Sequence, residues 1–124
     1  LFEKLKLKNF SIFPGSELKL LKGLQLGCSG IITATCNVTA ELASKVYDDF
    51  YSGKEQSLNQ KMCNVRHAFD KYNLVSGLHT YCSQENKIYN NILPPLSLLN
   101  KTDEEDLINN LKDLDFTIKS PMAA

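Results

Sequence analysis

The chain has a single arginine, Arg66, and two histidines, His67 and His79, among 124 residues. Its 14 basic and 14 acidic side chains balance to zero net charge. A phosphate-reading surface needs clustered basic groups, so no nucleic-acid partner is expected. No apolar run approaches the roughly 20 residues of a membrane span, and no signal-peptide pattern is present, so no membrane partner is expected either. The four cysteines, Cys28, Cys36, Cys63 and Cys82, are widely spaced and form no C-x-x-C. With two histidines to add, they make no recognisable zinc site, and no metal or cofactor is expected. They read instead as reduced, part-buried thiols of a cytoplasmic protein.

What is present is enough for one modest domain with a real core. The chain opens at Leu1 without a methionine, and "LFEKLKLK" resembles the end of a helix already under way. The expectation is a piece of a longer polypeptide.

The most telling stretch is "GCSGIITATCNVTAE", residues 27–41, which carries no charge until Glu41. A half-exposed strand alternates apolar with polar residues, and this stretch does not. Continuous apolar and β-branched residues mark a strand packed on both faces, the signature of a parallel sheet. Upstream, "FSIF" at 10–13 is a second strand candidate, closed by Pro14-Gly15. Between the two, "SELKLLKGLQLG" reads as a helix with Ser16 as N-cap, Glu17 in its first turn and Gly27 as C-cap. Strand, helix, strand in under thirty residues is the length of a crossover that places residues 10–13 and 30–36 side by side and parallel.

The rest reads as helix. Residues 39–51 are expected to start at Thr39 as N-cap and to share a face of Leu42, Ala43, Val46, Tyr47 and Phe50, with Gly53 as the break. Residues 54–72 carry a stripe of Leu58, Met62, Val65, Phe69 and Tyr72. Gly77 opens or interrupts a third helix with Leu78, Tyr81, Glu85, Ile88 and Ile92 on one side. Pro94-Pro95 forces an extended linker. "TDEED" starts the last helix with a capping box from Thr102 to Glu105, and Leu107, Ile108, Leu111, Leu114 and Ile118 form its buried side. Two strands make no stable sheet alone. The fold class expected is therefore α/β, either the last part of an α/β barrel or of a doubly wound sheet.

In such folds the carboxyl ends of the strands carry the site. Those ends are Phe13 to Glu17 and Ala34 to Asn37. Gly15 permits close approach of a ligand to the backbone. Glu17 reads either as a group that bonds a substrate hydroxyl or as a helix-dipole residue. Asn37 reads as a turn cap or a ligand contact. "GCSG" lacks the Lys-Ser/Thr end of a phosphate loop. His67 and His79 fall on helices, away from the strand ends in sequence.

These residues carry a resemblance. Gly15, Glu17, Gly27, Gly30, Ile32 and Asn37 stand in the order and spacing of a G-x-[DE] turn, a helix, then G-x-x-G-x-I with an Asn a few residues on. The stretch is similar to the C-terminal part of the dihydrodipicolinate synthase / N-acetylneuraminate lyase family, pyruvate-handling Schiff-base lyases and aldolases. "LPPLSLLNKTDEEDLINNLKDL" also resembles the family's ending, a proline-bearing linker and a final helix. The resemblance implies a (β/α)8 TIM barrel. Residues 1–52 would be its end, strands seven and eight with their helices, and residues 53–124 a C-terminal helical region. It implies pyruvate or another 2-oxo acid as substrate, contacted by Gly15, Glu17 and Ile32, and a homo-oligomer, a tetramer in the family. Ala34 stands where some sugar-acid lyases use a serine. "SGLHTYCSQEN" stands where many synthases carry Asn-Pro-x-Pro, which is closer to the lyase and sugar-acid aldolase branch.

The family's imine-forming lysine lies on strand six and its proton-relay tyrosine on strand five. Neither strand falls within this segment, so no catalytic residue is assigned and the segment alone is expected to be inactive. A non-catalytic reading, amphipathic helices that associate with partner subunits, is compatible with this one. A small flavodoxin-like domain would need more strands.

Overall fold

The computed structural model describes residues 9–117. The short helix expected at residues 1–6, and Ile118 at the end of the last stripe, lie outside them. Among the described residues five α-helices follow one another: α1 (Leu20–Gln25), α2 (Cys36–Tyr51), α3 (Asn59–Asp70), α4 (Leu74–Cys82) and α5 (Lys101–Asp113). A 3-10 turn at Glu17–Lys19 leads into α1, and a second, Lys87–Asn90, follows α4.

Local chemistry explains the boundaries. Ser16 accepts from the Leu18 amide, as its N-cap reading requires. At the end of α1, Gly27 takes φ +91°. The Cys28 amide reaches the Gly23 carbonyl at 2.8 Å and the Gly27 amide that of Leu24 at 3.0 Å, the double closure of a Schellman motif. Gly53 (φ +66°) ends α2 in the same way, with Lys54 to Asp49 at 2.9 Å and Gly53 to Phe50 at 3.2 Å.

Two expected starts are corrected. Helix α2 begins at Cys36, three residues before Thr39, because the Thr33 hydroxyl accepts from the Cys36 amide at 3.0 Å and opens the helix early. Thr39 is fully buried inside the helix. Helix α5 begins at Lys101, capped by Asn100, which accepts from the Asp103 amide at 2.9 Å and donates its side-chain amide to the Asp103 carboxylate at 3.0 Å, so the N-cap is Asn100 and not Thr102. Gly77 lies inside α4, whose N-cap is Asn73. That helix stops at Cys82, and Ile88 is left 64 % exposed.

The strand expectation needs correction too. Among the described residues none is in a regular strand, and Cys36, expected as the last strand residue, is helical. What remains of the pairing is two backbone bonds. The Ser29 amide donates to the Ile12 carbonyl at 3.0 Å and the Ile32 amide to the Pro14 carbonyl at 3.1 Å. Acceptors advance from 12 to 14 while donors advance from 29 to 32, so the two extended segments run side by side in the same direction. A regular parallel ladder would advance both by two. The extra residue on the second segment breaks the register, and Pro14 has no N–H to donate.

The helices bury two adjoining clusters. Leu20 and Leu24 of α1, Ala43 and Val46 of α2 and Met62 of α3 form the first. Val65, Ala68 and Phe69 of α3, Leu78 and Tyr81 of α4 and Leu107 and Leu111 of α5 form the second. Phe69 meets Tyr81 edge-on with centroids 5.7 Å apart. Helix α3 therefore belongs to both clusters and ties the end of residues 1–52 to the helical region after it. The linker is held by Thr80, a buried hydroxyl on α4 that accepts from the Leu99 amide at 2.9 Å.

Candidate functional site

The two extended segments end together. A Cβ placed on Gly15 would lie 3.9 Å from the Ile32 carbonyl, so the turn after the first segment packs directly on the end of the second. Ile32 is 71 % exposed, and Phe10 and Phe13 of the first segment are exposed as well. Gly15 and Ile32, two of the three sequence-predicted contacts, thus share one open end of the paired segments.

Glu17 shares that end but faces inward. Its side chain is fully buried, two residues beyond exposed Gly15. Three threonine hydroxyls donate to Oε1: Thr33 at 2.7 Å, Thr35 at 2.5 Å and Thr39 at 2.9 Å. The other oxygen, Oε2, accepts from Arg66 Nη1 at 2.8 Å. Arg66 is itself oriented by Asp70, one turn on in α3, through Nε at 2.8 Å.

The electrostatics follow. Burial opposes ionisation of Glu17, but the hydroxyls of Thr35 and Thr33 and the Arg66 guanidinium outweigh it and lower the pKa to about 2. The charge is felt nearby: burial first, and then the Glu17 charge, push the Cys63 thiol up. An ionised carboxylate is acceptor-only, which is what four converging donors need.

Asn37 lies in the first turn of α2, where its amide donates to the Ala34 carbonyl at 2.8 Å. His79 Nδ1 contacts the Tyr89 carbonyl at 2.8 Å. His67 is exposed on α3, beside the shallow groove lined by Asn64, Lys71 and Asp113. Neither histidine is among the hydrogen-bond partners of Glu17 named above. The residues that sequence reasoning did not gather are Thr33, Thr35, Thr39 and Arg66. The signal available for Arg66 was its singularity: one guanidinium in a chain that otherwise uses lysine. A planar fork is favoured wherever a buried carboxylate must be held.

The dihydrodipicolinate synthetase family model matches residues 2–114. The chain belongs to that family. Comparison with curated proteins finds no match in sequence. Among solved structures, the dihydrodipicolinate synthase of Thermotoga maritima superposes with a TM-score of 0.77 at 19% identity, over 88% of this chain and 38% of that one. A dihydrodipicolinate synthase of Bacillus anthracis gives 0.78 at 17%, over 88% and 38%. The N-acetylneuraminate lyase of Proteus mirabilis gives 0.74 at 18%, over 91% and 39%. The neighbours are TIM-barrel enzymes, and this chain spans less than two fifths of the length of each. The family is one of lyases. No described helix is long and apolar enough to cross a membrane.

Proposed function

We propose that the chain is the C-terminal portion of a Schiff-base lyase or aldolase that makes or breaks a carbon–carbon bond of a 2-oxo acid such as pyruvate. The observation that carries this reading is the family match over residues 2–114, in which Gly15 and Ile32 come together at one open end of two parallel extended segments. In the assembled barrel these segments are strands seven and eight, flanked by the strands that complete their hydrogen bonding. Gly15 and Ile32 line the mouth, the glycine because it lets substrate approach the backbone, the isoleucine because it supplies an apolar wall to the pyruvate methyl. Glu17 sits behind them.

In this reading the lysine belongs to the upstream strands. Its neutral amine attacks the 2-oxo carbon, water leaves, and the resulting iminium accepts the electron pair of the breaking bond. The exposed apolar side chains Ile88 and Leu93 support subunit association, and the four unbridged thiols support a reducing cytoplasmic setting.

The test is borohydride reduction with pyruvate, read by intact mass. The polypeptide in which this segment follows strands one to six should trap one pyruvate. No adduct on that polypeptide would refute the assignment.

A further inference from the structure

We infer that Arg66 and Glu17 act as a clamp that sets the shape of the strand-end loop 32–35, so that both are positioning residues for the pocket and neither touches substrate. The inference rests on the proposed function for what the pocket binds, but its geometry stands independently. Glu17 Oε1 accepts from Thr33 and Thr35, which bracket Ala34 and follow Ile32 directly. Thr33 in turn caps the first amide of α2. One carboxylate oxygen thus fixes two residues of the loop, and through Thr33 it fixes where α2 starts. The other oxygen is held from α3, 49 residues along the chain.

The arrangement leaves Glu17 no exposed oxygen to offer a substrate hydroxyl. Both its oxygens are taken by the chain's own donors, and its side chain is buried. Ile32, by contrast, is open to solvent while its backbone is pinned to Pro14. A loop that must present an apolar side chain at fixed height needs support from beneath, and the clamp supplies it. Asp70 holds the guanidinium in plane, so that the chain of contacts runs from the surface of α3 to the loop.

Glu17→Gln tests the acceptor requirement, because an amide brings donors to a place where four donors already converge. On the 124-residue chain, amide hydrogen exchange should show protection of the Ile32 and Ser29 amides falling about tenfold or more beyond that of the Leu107 amide in α5 in Glu17→Gln and in Arg66→Gln, the Leu107 loss reporting the global destabilisation. Thr33→Val should lower the Ile32 amide and the Cys36 amide that its hydroxyl caps, with the Leu107 amide unchanged, and Thr33→Ser should restore both. Unchanged protection at Ile32 in Thr33→Val and Arg66→Gln, or equal loss at Ile32 and Leu107 in all variants, would overturn the clamp.

A second arm uses the polypeptide that carries the upstream strands. There the clamp variants should raise KM for pyruvate and for the longer substrate by the same factor. A Glu17 that contacts substrate would instead weaken the longer substrate only, and Arg66→Gln would not copy it. Absence of any pyruvate imine in the parent polypeptide would sink the proposed function and leave the exchange experiment to decide the clamp.

Discussion

Arg66 reaches Glu17 at 2.8 Å from a helix 49 residues further along the chain, and the carboxylate it meets is fully buried. Removing one member of a buried pair leaves the other charge uncompensated, which commonly costs about 3–5 kcal/mol. Arg66→Ala should therefore destabilise the chain strongly, while Arg66→Lys should lose less but not be neutral, since an ammonium cannot hold Asp70 and Glu17 with one planar group. Urea unfolding of the two variants should rank them in that order. Equal stability of wild type and Arg66→Ala would show that the pair contributes nothing.

The pH dependence follows from the same carboxylate. The folded pKa of Glu17 is lowered from 4.5 to about 2. A depressed acid contributes stability that is fully present above its unfolded pKa and is lost as pH falls through its folded pKa. The window is therefore roughly pH 4.5 down to pH 2, and the full contribution is on the order of 3 kcal/mol. Urea midpoints should fall steeply across that window in the wild-type chain. Glu17→Gln, already destabilised at pH 7, should show a flatter profile. A wild-type midpoint that holds constant down to pH 3 would contradict the buried, ionised state.

The second cluster depends on Phe69, which is fully buried between α4 and α5 and edge-on to Tyr81. Phe69→Ala should cost about 3–5 kcal/mol, the range for removing a core aromatic, and Phe69→Leu markedly less. Calorimetry would separate the two. A loss below about 1 kcal/mol would mean the helices repack without the ring.

How much was legible follows from the range over which each interaction acts. Gly27 and Gly53 were readable as helix ends because a C-cap closes within six residues and needs a positive φ. The approach of Gly15 to Ile32 was readable because a short crossover brings two extended segments together in parallel. Thr39 has the local look of an N-cap, but its hydroxyl serves a partner 22 residues away, Glu17, and no local rule contains that partner. Arg66 stands out in the sequence only as a singular arginine, for the same reason. The regular strands did not form because a ladder depends on neighbours on both sides, and the second segment carries one residue too many between its two bonds to the first.

Gly53 offers a clean measure of backbone strain. Its φ is +66°, and a Cβ there would meet no atom within 4 Å. Gly53→Ala therefore adds no clash, only the cost of a left-handed conformation, about 1 kcal/mol. Gly53→Asn should cost less, because Asn tolerates that region. If alanine proved neutral, the end of α2 would have to close in some other geometry.

The last prediction concerns chemistry in the isolated chain. An imine needs a neutral lysine amine, and a lysine with an ordinary pKa of about 10.4 is almost wholly protonated at pH 7. Catalytic lysines escape this by burial in an apolar seat. Among the described residues no lysine is buried. The least exposed, Lys61, keeps part of its side chain in solvent and donates to the Asp115 carbonyl at 2.7 Å. Borohydride reduction of residues 1–124 with pyruvate should then leave the intact mass unchanged. A stoichiometric adduct at one lysine would place the chemistry within this segment, and the assignment of the imine lysine to upstream strands would fall.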